Sequence, residues 1–293
     1  MRKLKYRAEN SPQAWLFLFP ALFIIIIFNV FPLLQTFKLS FFKGSLNNLI
    51  FNGLTNYQIV IQDPKFHTAL INTATYAFVV VPLGLIISMF IAVTIYEKIK
   101  YKDFFETIFF IPYLTSIIAV GVVFRYLFNG EYGFINYLLS FINVGPINFL
   151  DDPNMSLTTL IIFGVWSSLA FNIIILLSGL RNVNSDYYKV ADMFGATKFE
   201  QFRKITLPQL LPIITFLSMV NFISAFKVYA QVYSVFNGKA GIADSATTAV
   251  FYIFNKFYVE NRYGQGMAAA VILFLLILLF TLIQNYVLKR ISK

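Results

Sequence analysis

Six stretches of this chain contain no Asp, Glu, Lys or Arg: Ala14 to Phe37, His67 to Tyr96, Thr107 to Phe124, Met155 to Leu180, Leu207 to Phe226 and Tyr263 to Leu288. Apolar residues run through them almost without interruption, with neither the period of two of a half-buried strand nor the narrow stripe of a surface helix. About 20 apolar residues at 1.5 Å each cover a hydrocarbon core of roughly 30 Å, and a helix satisfies its own backbone in lipid. The pattern predicts an all-α integral membrane protein with six transmembrane helices. The third stretch is the shortest and holds Pro112, which predicts a kinked helix or one partly buried in protein. The first exceeds the ~7–15 apolar residues of a removable signal peptide and no small-x-small cleavage site follows it, so it is expected to remain as a membrane helix.

Composition agrees: 58% of the 293 residues are hydrophobic and 12% charged, where about a quarter would be charged in a soluble domain. The absence of cysteine, with His67 as the one histidine, excludes disulfides, thiolate nucleophiles and the cysteine or paired-histidine metal sites. His67 itself opens the second stretch and is read as interfacial. The net charge of +10 would suggest nucleic acid in a soluble protein, but the cations flank the apolar stretches, where they set orientation. Of 23 Lys and Arg, 15 lie in the amino terminus, the second and fourth loops and the carboxyl terminus, and 8 in the other loops. The positive-inside rule places both termini and those two loops in the cytoplasm.

Missing residues narrow the function. A proton or sodium relay places ionisable groups at membrane depth, and the six stretches have none, which weighs against an ion-coupled secondary carrier, the alternative class. No HExxH, GxSG or buried Asp pair supports a membrane protease, and no GxxxxGK[ST] loop could bind ATP. No catalytic or metal-binding constellation emerges, and energy for active transport would have to enter from another chain.

The most informative segment is the basic loop 181–206 and its continuation to Pro212, RNVNSDYYKVADMFGATKFEQFRKITLPQLLP. Asp186 to Phe194 and Lys198 to Thr206 are two short helix-compatible stretches separated by Gly195, a residue suited to a helix end. Phe199, Phe202 and Ile205 recur at a spacing of three, and Pro208 marks the start of the fifth membrane helix. The spacing predicts a helix–turn–helix elbow at the membrane surface, resting on headgroups or offered to a cytoplasmic partner.

This loop resembles the EAA loop of the permease subunits of bacterial ATP-binding-cassette (ABC) importers, E-A-A-x-x-x-G-A followed downstream by I-x-L-P. Lys189, Val190 and Ala191 stand at E-A-A, Gly195 and Ala196 match G-A, and Ile205, Leu207 and Pro208 match I-x-L-P; Lys189, Val190 and Phe194 depart from the pattern. AWLFLFPALFIIIIFNVFPLLQTFKLSFF, FNGLTNYQIVIQDPKF, FFETIFFIPYLTSIIAVGVVFRYLFNGEYGFIN and TTAVFYIFNKFYVENRYGQGMAAAVILFL have the look of the sugar-type branch, the maltose and glycerol-phosphate permeases. The resemblance implies the type I ABC importer permease fold in a bacterial plasma membrane, as one domain over 14–288 between cytoplasmic segments 1–13 and 289–293. It implies a heterodimer with a second permease, two ATPase subunits holding ATP and Mg, and an extracytoplasmic solute-binding protein, with no cofactor on this chain. Tyr188, Lys189, Ala191, Gly195, Ala196, Ile205, Leu207 and Pro208, with Phe199 and Phe202 of the apolar stripe, are the expected ATPase-coupling residues. The implied cargo is a carbohydrate, an oligosaccharide first, with glycerol phosphate or a polyol as the alternative.

Sugars are recognised by hydroxyl-matched hydrogen bonds and aromatic stacking. Asn221, Ser224, Lys227 and Gln231 fall within about 120° of one another if the fifth helix continues that far, with Asn221 roughly 21 Å above Leu207. These residues, with Asn172 and Tyr229, are candidates for the substrate path; helix–helix hydrogen bonding is the alternative role of the Asn and Ser residues.

Overall fold

The computed structural model describes residues 12–45, 48–98 and 102–291; the basic residues Arg2, Lys3, Lys5 and Arg7 and the end of the tail lie outside them. Five helices are long and apolar enough to cross a membrane: Trp15–Leu39, Pro64–Tyr96, Pro153–Arg181, Lys198–Phe226 and Tyr263–Leu288. A bent pair, Thr107–Leu114 with Ile117–Leu127, makes a sixth candidate when taken as one span. These are called spans one to six in chain order, the bent pair being span three. A hairpin of Phe42–Ser45 and Asn48–Phe51 follows span one. The sixth helix runs on to Ile291, so residues 289–291 are helical.

Prolines shape the spans in two ways. Spans one and five each contain a π-helical turn, Ile26–Val30 and Phe202–Thr206, immediately before Phe31-Pro32 and Leu207-Pro208. Phe31 N–H donates to Ile26 O and Leu207 N–H to Phe202 O, one residue further back than in an α-helix. The wider turn accommodates the proline ring, which in a regular helix clashes with the carbonyl four residues back.

Span three breaks. After Pro112 the Thr115 N–H turns back to Pro112 O at 3.3 Å while its hydroxyl donates to Ile111 O at 3.1 Å. Ser116 is extended (ψ 123°) and starts the next helix, its carbonyl accepting from Val120 N–H at 3.0 Å. The two arms make an angle of 99°. The kink anticipated at Pro112 is thus a right-angle break four residues later, at Ser116, made possible because local side-chain and tight-turn bonds satisfy the freed backbone.

Spans two and four form the central pair and span five packs on both. Gly164 lets them approach closely: a Cβ there would collide with the Tyr76 hydroxyl. One apolar core gathers Phe124, Phe128, Phe149, Phe163, Phe222 and Phe251, and a second Ile95, Ile173, Leu176, Leu180, Leu210 and Leu217. Span one joins the body by its second half, Phe37 meeting Phe274 of span six edge-on at 5.9 Å; its most apolar window is wholly exposed.

A buried ion cluster ties the segment before span two to the one before span six. Lys256, 6% exposed, pairs with Asp63 at 3.3 Å and Glu260 at 3.0 Å and lies 5.2 Å from the Tyr252 ring centre, whose hydroxyl donates to Asp63 at 2.8 Å. Burial alone would raise the Asp63 pKa, but the bonds from Tyr252, the Lys65 N–H and Lys256 outweigh it and hold it below the usual value. A lowered carboxylate pKa contributes stability that is complete above about pH 4 and is lost as pH falls through the lowered value. Lys256→Met would leave the buried Asp63 without its cation, while Glu260 keeps Arg262 at 3.4 Å, and is expected to destabilise by about 3 kcal/mol, seen as a lower melting temperature in detergent, while the exposed Lys43→Met leaves it unchanged; equal melting of the two variants would contradict the role of the cluster.

Candidate functional site

Two regions carry chemistry: a polar cavity in the helix body and the elbow between spans four and five. The cavity, about 260 Å³, is bounded by Tyr76, Val80 and Val81 of span two, Tyr113 at the break of span three, Gly164, Ser167, Ser168 and Phe171 of span four, and Val220, Asn221, Ser224 and Ala225 of span five, with Gln231 beyond. The broken third span brings in Tyr113, whose ring stacks on Phe171 at 5.6 Å and 22°. Inside it Asn221 Nδ2 donates to Asn172 Oδ1 at 2.8 Å. Asn172 is 1% exposed and its own Nδ2 finds no partner, so it stands behind Asn221.

The structure brings together Asn172, Asn221, Ser224 and Gln231 but not Lys227 and Tyr229. Span five ends at Phe226, Lys227 caps it with φ −100°, and a separate helix begins at Ala230. The stripe that depended on a continuous helix is broken there: Lys227 is exposed, and Tyr229 sits among Tyr233, Phe251 and Phe254. Tyr113, Ser167 and Ser168 were not singled out from the sequence. Ser167 and Ser168 read as ordinary small residues on a packed helix, and Tyr113 becomes a lining residue only through the break at Ser116.

The elbow is built from helix ends. Asn184 caps Ser185–Met193 by accepting from Asp186 N–H at 2.9 Å. That helix closes through Gly195 at φ +73°, with Ala196 N–H donating to Ala191 O at 3.0 Å, a left-handed position that disfavours a side chain. Thr197 and Glu200 form a capping box opening Lys198–Gln201. The Asp192 carboxylate accepts from Gln201 Nε2 and Lys198 Nζ, Gln201 Nε2 also reaches Ala196 O, and Tyr188 OH meets Thr206 Oγ1 at 2.8 Å. These bonds hold both Asp192 and Glu200 below the ordinary carboxylate pKa range. Lys189 is exposed and pairs with Asp186 at 2.8 Å.

The apolar residues of the elbow fall on two faces. Phe199 and Phe202 line a groove of about 590 Å³ with Leu85, Ile86, Met89 and Phe90 of span two and Leu207 of span five. Met193 and Phe194 stand at the turn, each 87% exposed. Ile205 is half-buried and Pro208 exposed. Met193 and Phe194 were passed over in the sequence, where Phe194 registers only as a departure from the acidic residue of the motif.

Asn172→Leu and Asn221→Ala each remove the same interhelical bond. In a double-mutant cycle followed by thermal melting they are expected to show a coupling of about 1 kcal/mol; strictly additive effects would mean that the two amides do not act as a pair.

Residues 84–293 match the family described as binding-protein-dependent transport system inner membrane component. The trehalose/maltose transport system permease protein MalF of Thermococcus litoralis is 30% identical over 283 residues, covering 96% of this chain and 94% of that one. The arabinooligosaccharides transport system permease protein AraP of Bacillus subtilis is 29% identical, covering 97% and 90%. The lactose transport system permease protein LacF of Rhizobium radiobacter is 30% identical, covering 92% of each. Among solved structures, a bacterial ABC transporter involved in the import of the acidic polysaccharide alginate superposes with a TM-score of 0.84 at 23% identity over 96% of both chains, which shows a shared fold. With five membrane-length helices, a bent sixth and this match over most of its length, the chain belongs to the binding-protein-dependent transport system inner membrane components, the multi-pass permeases of ABC importers.

Proposed function

We propose that this chain is the non-catalytic translocation subunit of an ATP-driven, binding-protein-dependent carbohydrate importer, with the elbow 185–206 as its contact to a separate ATPase. The observation that carries the reading is the elbow itself, two short helices locked at Gly195 by caps and the Asp192–Gln201 network, with two fully presented apolar side chains at the tip. A relay of force needs such rigidity, because a loop that deforms under load transmits nothing to the helix behind it. Span five continues from the elbow as one helix, Lys198–Phe226, and bears Asn221 near its far end. Movement at the elbow is thus delivered at the cavity about 35 Å away. Nucleotide closure would act by favouring one facing of the cavity over the other, a population shift.

The partners follow from what the chain lacks. Without a phosphate-binding loop it needs ATPase subunits carrying ATP and Mg, and the wholly exposed apolar window of span one suits a second, similar permease. The sugar permeases among its relatives support an oligosaccharide as cargo and an extracytoplasmic binding protein as donor. Four crossings return the chain at the elbow to the side of its amino terminus, so an ATPase at the elbow makes both termini cytoplasmic, in accord with the distribution of Lys and Arg.

If Met193 and Phe194 fill a socket on the ATPase, Met193→Ser with Phe194→Ser forfeits about 1.5 kcal/mol per side chain, together near a 100-fold loss of affinity. The expected outcome is a chain that inserts and pairs with its partner permease but loses the ATPase on purification and fails to drive uptake in vesicles. Wild-type ATPase retention and uptake would contradict the coupling role.

A further inference from the structure

Resting on the reading of the cavity as cargo path, we infer that the cargo crossing it is an uncharged, hydroxyl-rich molecule, and that phosphorylated or carboxylate-bearing sugars are excluded. None of the 13 described residues that bound the cavity is Asp, Glu, Lys, Arg or His. The polar atoms offered are two serine hydroxyls on span four, the Asn221 amide and Ser224 hydroxyl on span five, Gln231 and the tyrosine hydroxyls, all neutral groups able to pair with sugar hydroxyls. Phe171 and Tyr113 supply the aromatic surface on which the C–H faces of a sugar ring pack.

An anion held against this wall would shed water without meeting a cation from this chain, a cost of several kcal/mol that neutral hydroxyls and amides offset only in part. Lys227, the one cation of the expected stripe, is exposed beyond the end of span five and does not line the cavity. The contrast with a second cleft is instructive. That cleft, about 440 Å³, is bounded by Arg125, Asp151 and Lys239 together with Tyr126 and Tyr132, and its Arg125 donates to Asn237 Oδ1 at 2.6 Å. The fold thus places cations beside one recess and none in the other. At about 260 Å³ the neutral cavity is smaller than the ~300–1,000 Å³ of complete ligand pockets, so this chain forms one wall around roughly one sugar ring.

The absence of native cysteine permits a direct test. Ser224→Cys is placed in the chain, assembled with its partner permease, ATPase subunits and binding protein, and the rate of maleimide alkylation is measured with saturating neutral oligosaccharides (maltotriose, arabinotriose, lactose) or with glycerol 3-phosphate and trigalacturonate. Tyr258→Cys, on an exposed residue outside this cavity, serves as control. The inference predicts that at least one neutral sugar slows alkylation of Ser224→Cys five-fold or more, that the anions change it less than 1.5-fold, and that the control is unaffected. Slowing by an anion at Ser224→Cys alone would overturn the inference and leave the cargo path standing. Slowing by none of them would remove the cargo path, and the inference with it.

Discussion

In a hydrocarbon solvent every backbone N–H and C=O has to be satisfied within the chain, and the architecture here follows from how that requirement is met where prolines violate it. At Pro32 and Pro208 the helix widens into a π turn and continues. After Pro112 it stops, turns by 99° and restarts, with the Thr115 hydroxyl and a tight turn taking up the freed carbonyls. The same residue type therefore gives two outcomes. Thr115 and Ser116 hydrogen-bond locally at the break, whereas Thr36 makes the same kind of bond to Pro32 O at 2.9 Å inside a continuous helix.

That break brings one aromatic residue to the polar interior. A straight third span would carry Tyr113 along the membrane normal with its neighbours; the bent one sets it on Phe171 at the edge of the cavity bounded by spans two, four and five. Asn172 and Asn221 fix spans four and five to each other at that level, while Leu176, Leu180, Leu210 and Leu217 fill the adjoining core. Asn172 serves as glue between the helices, and holding one edge of Asn221 leaves the rest of its hydrogen-bonding capacity at the cavity.

The crossing segments were legible because charge-free length is a property of the sequence alone, and the elbow because Gly195 and Pro208 punctuate it. Three features were not. Span five ends at Phe226, and just beyond it Val228 O accepts from Thr248 Oγ1 at 2.8 Å, a contact 20 residues away in the chain; no local pattern announces this end, and of the expected stripe Asn221, Ser224 and Gln231 reach the cavity while Lys227 does not. The right-angle break leaves hydrophobicity unchanged on both sides of Ser116. At the elbow, a spacing of three marks Phe199 and Phe202 as an apolar face, which lines a groove with span two, and the exposed pair Met193 and Phe194 has no periodicity to betray it.

The central claim, that the third apolar stretch is a bent pair and not a straight rod, has a distance attached to it. Phe104 and Tyr126 are exposed and lie on opposite arms. A straight helix would separate them by about 33 Å, whereas arms of roughly 17 and 16 Å meeting at the observed bend leave about 21 Å. Spin labels on Phe104→Cys and Tyr126→Cys, in a chain with no other cysteine, read this separation by double electron–electron resonance in lipid nanodiscs. A distribution centred near 21 Å is the predicted result; one centred near 33 Å would contradict the break, and with it the placement of Tyr113 at the edge of the cavity.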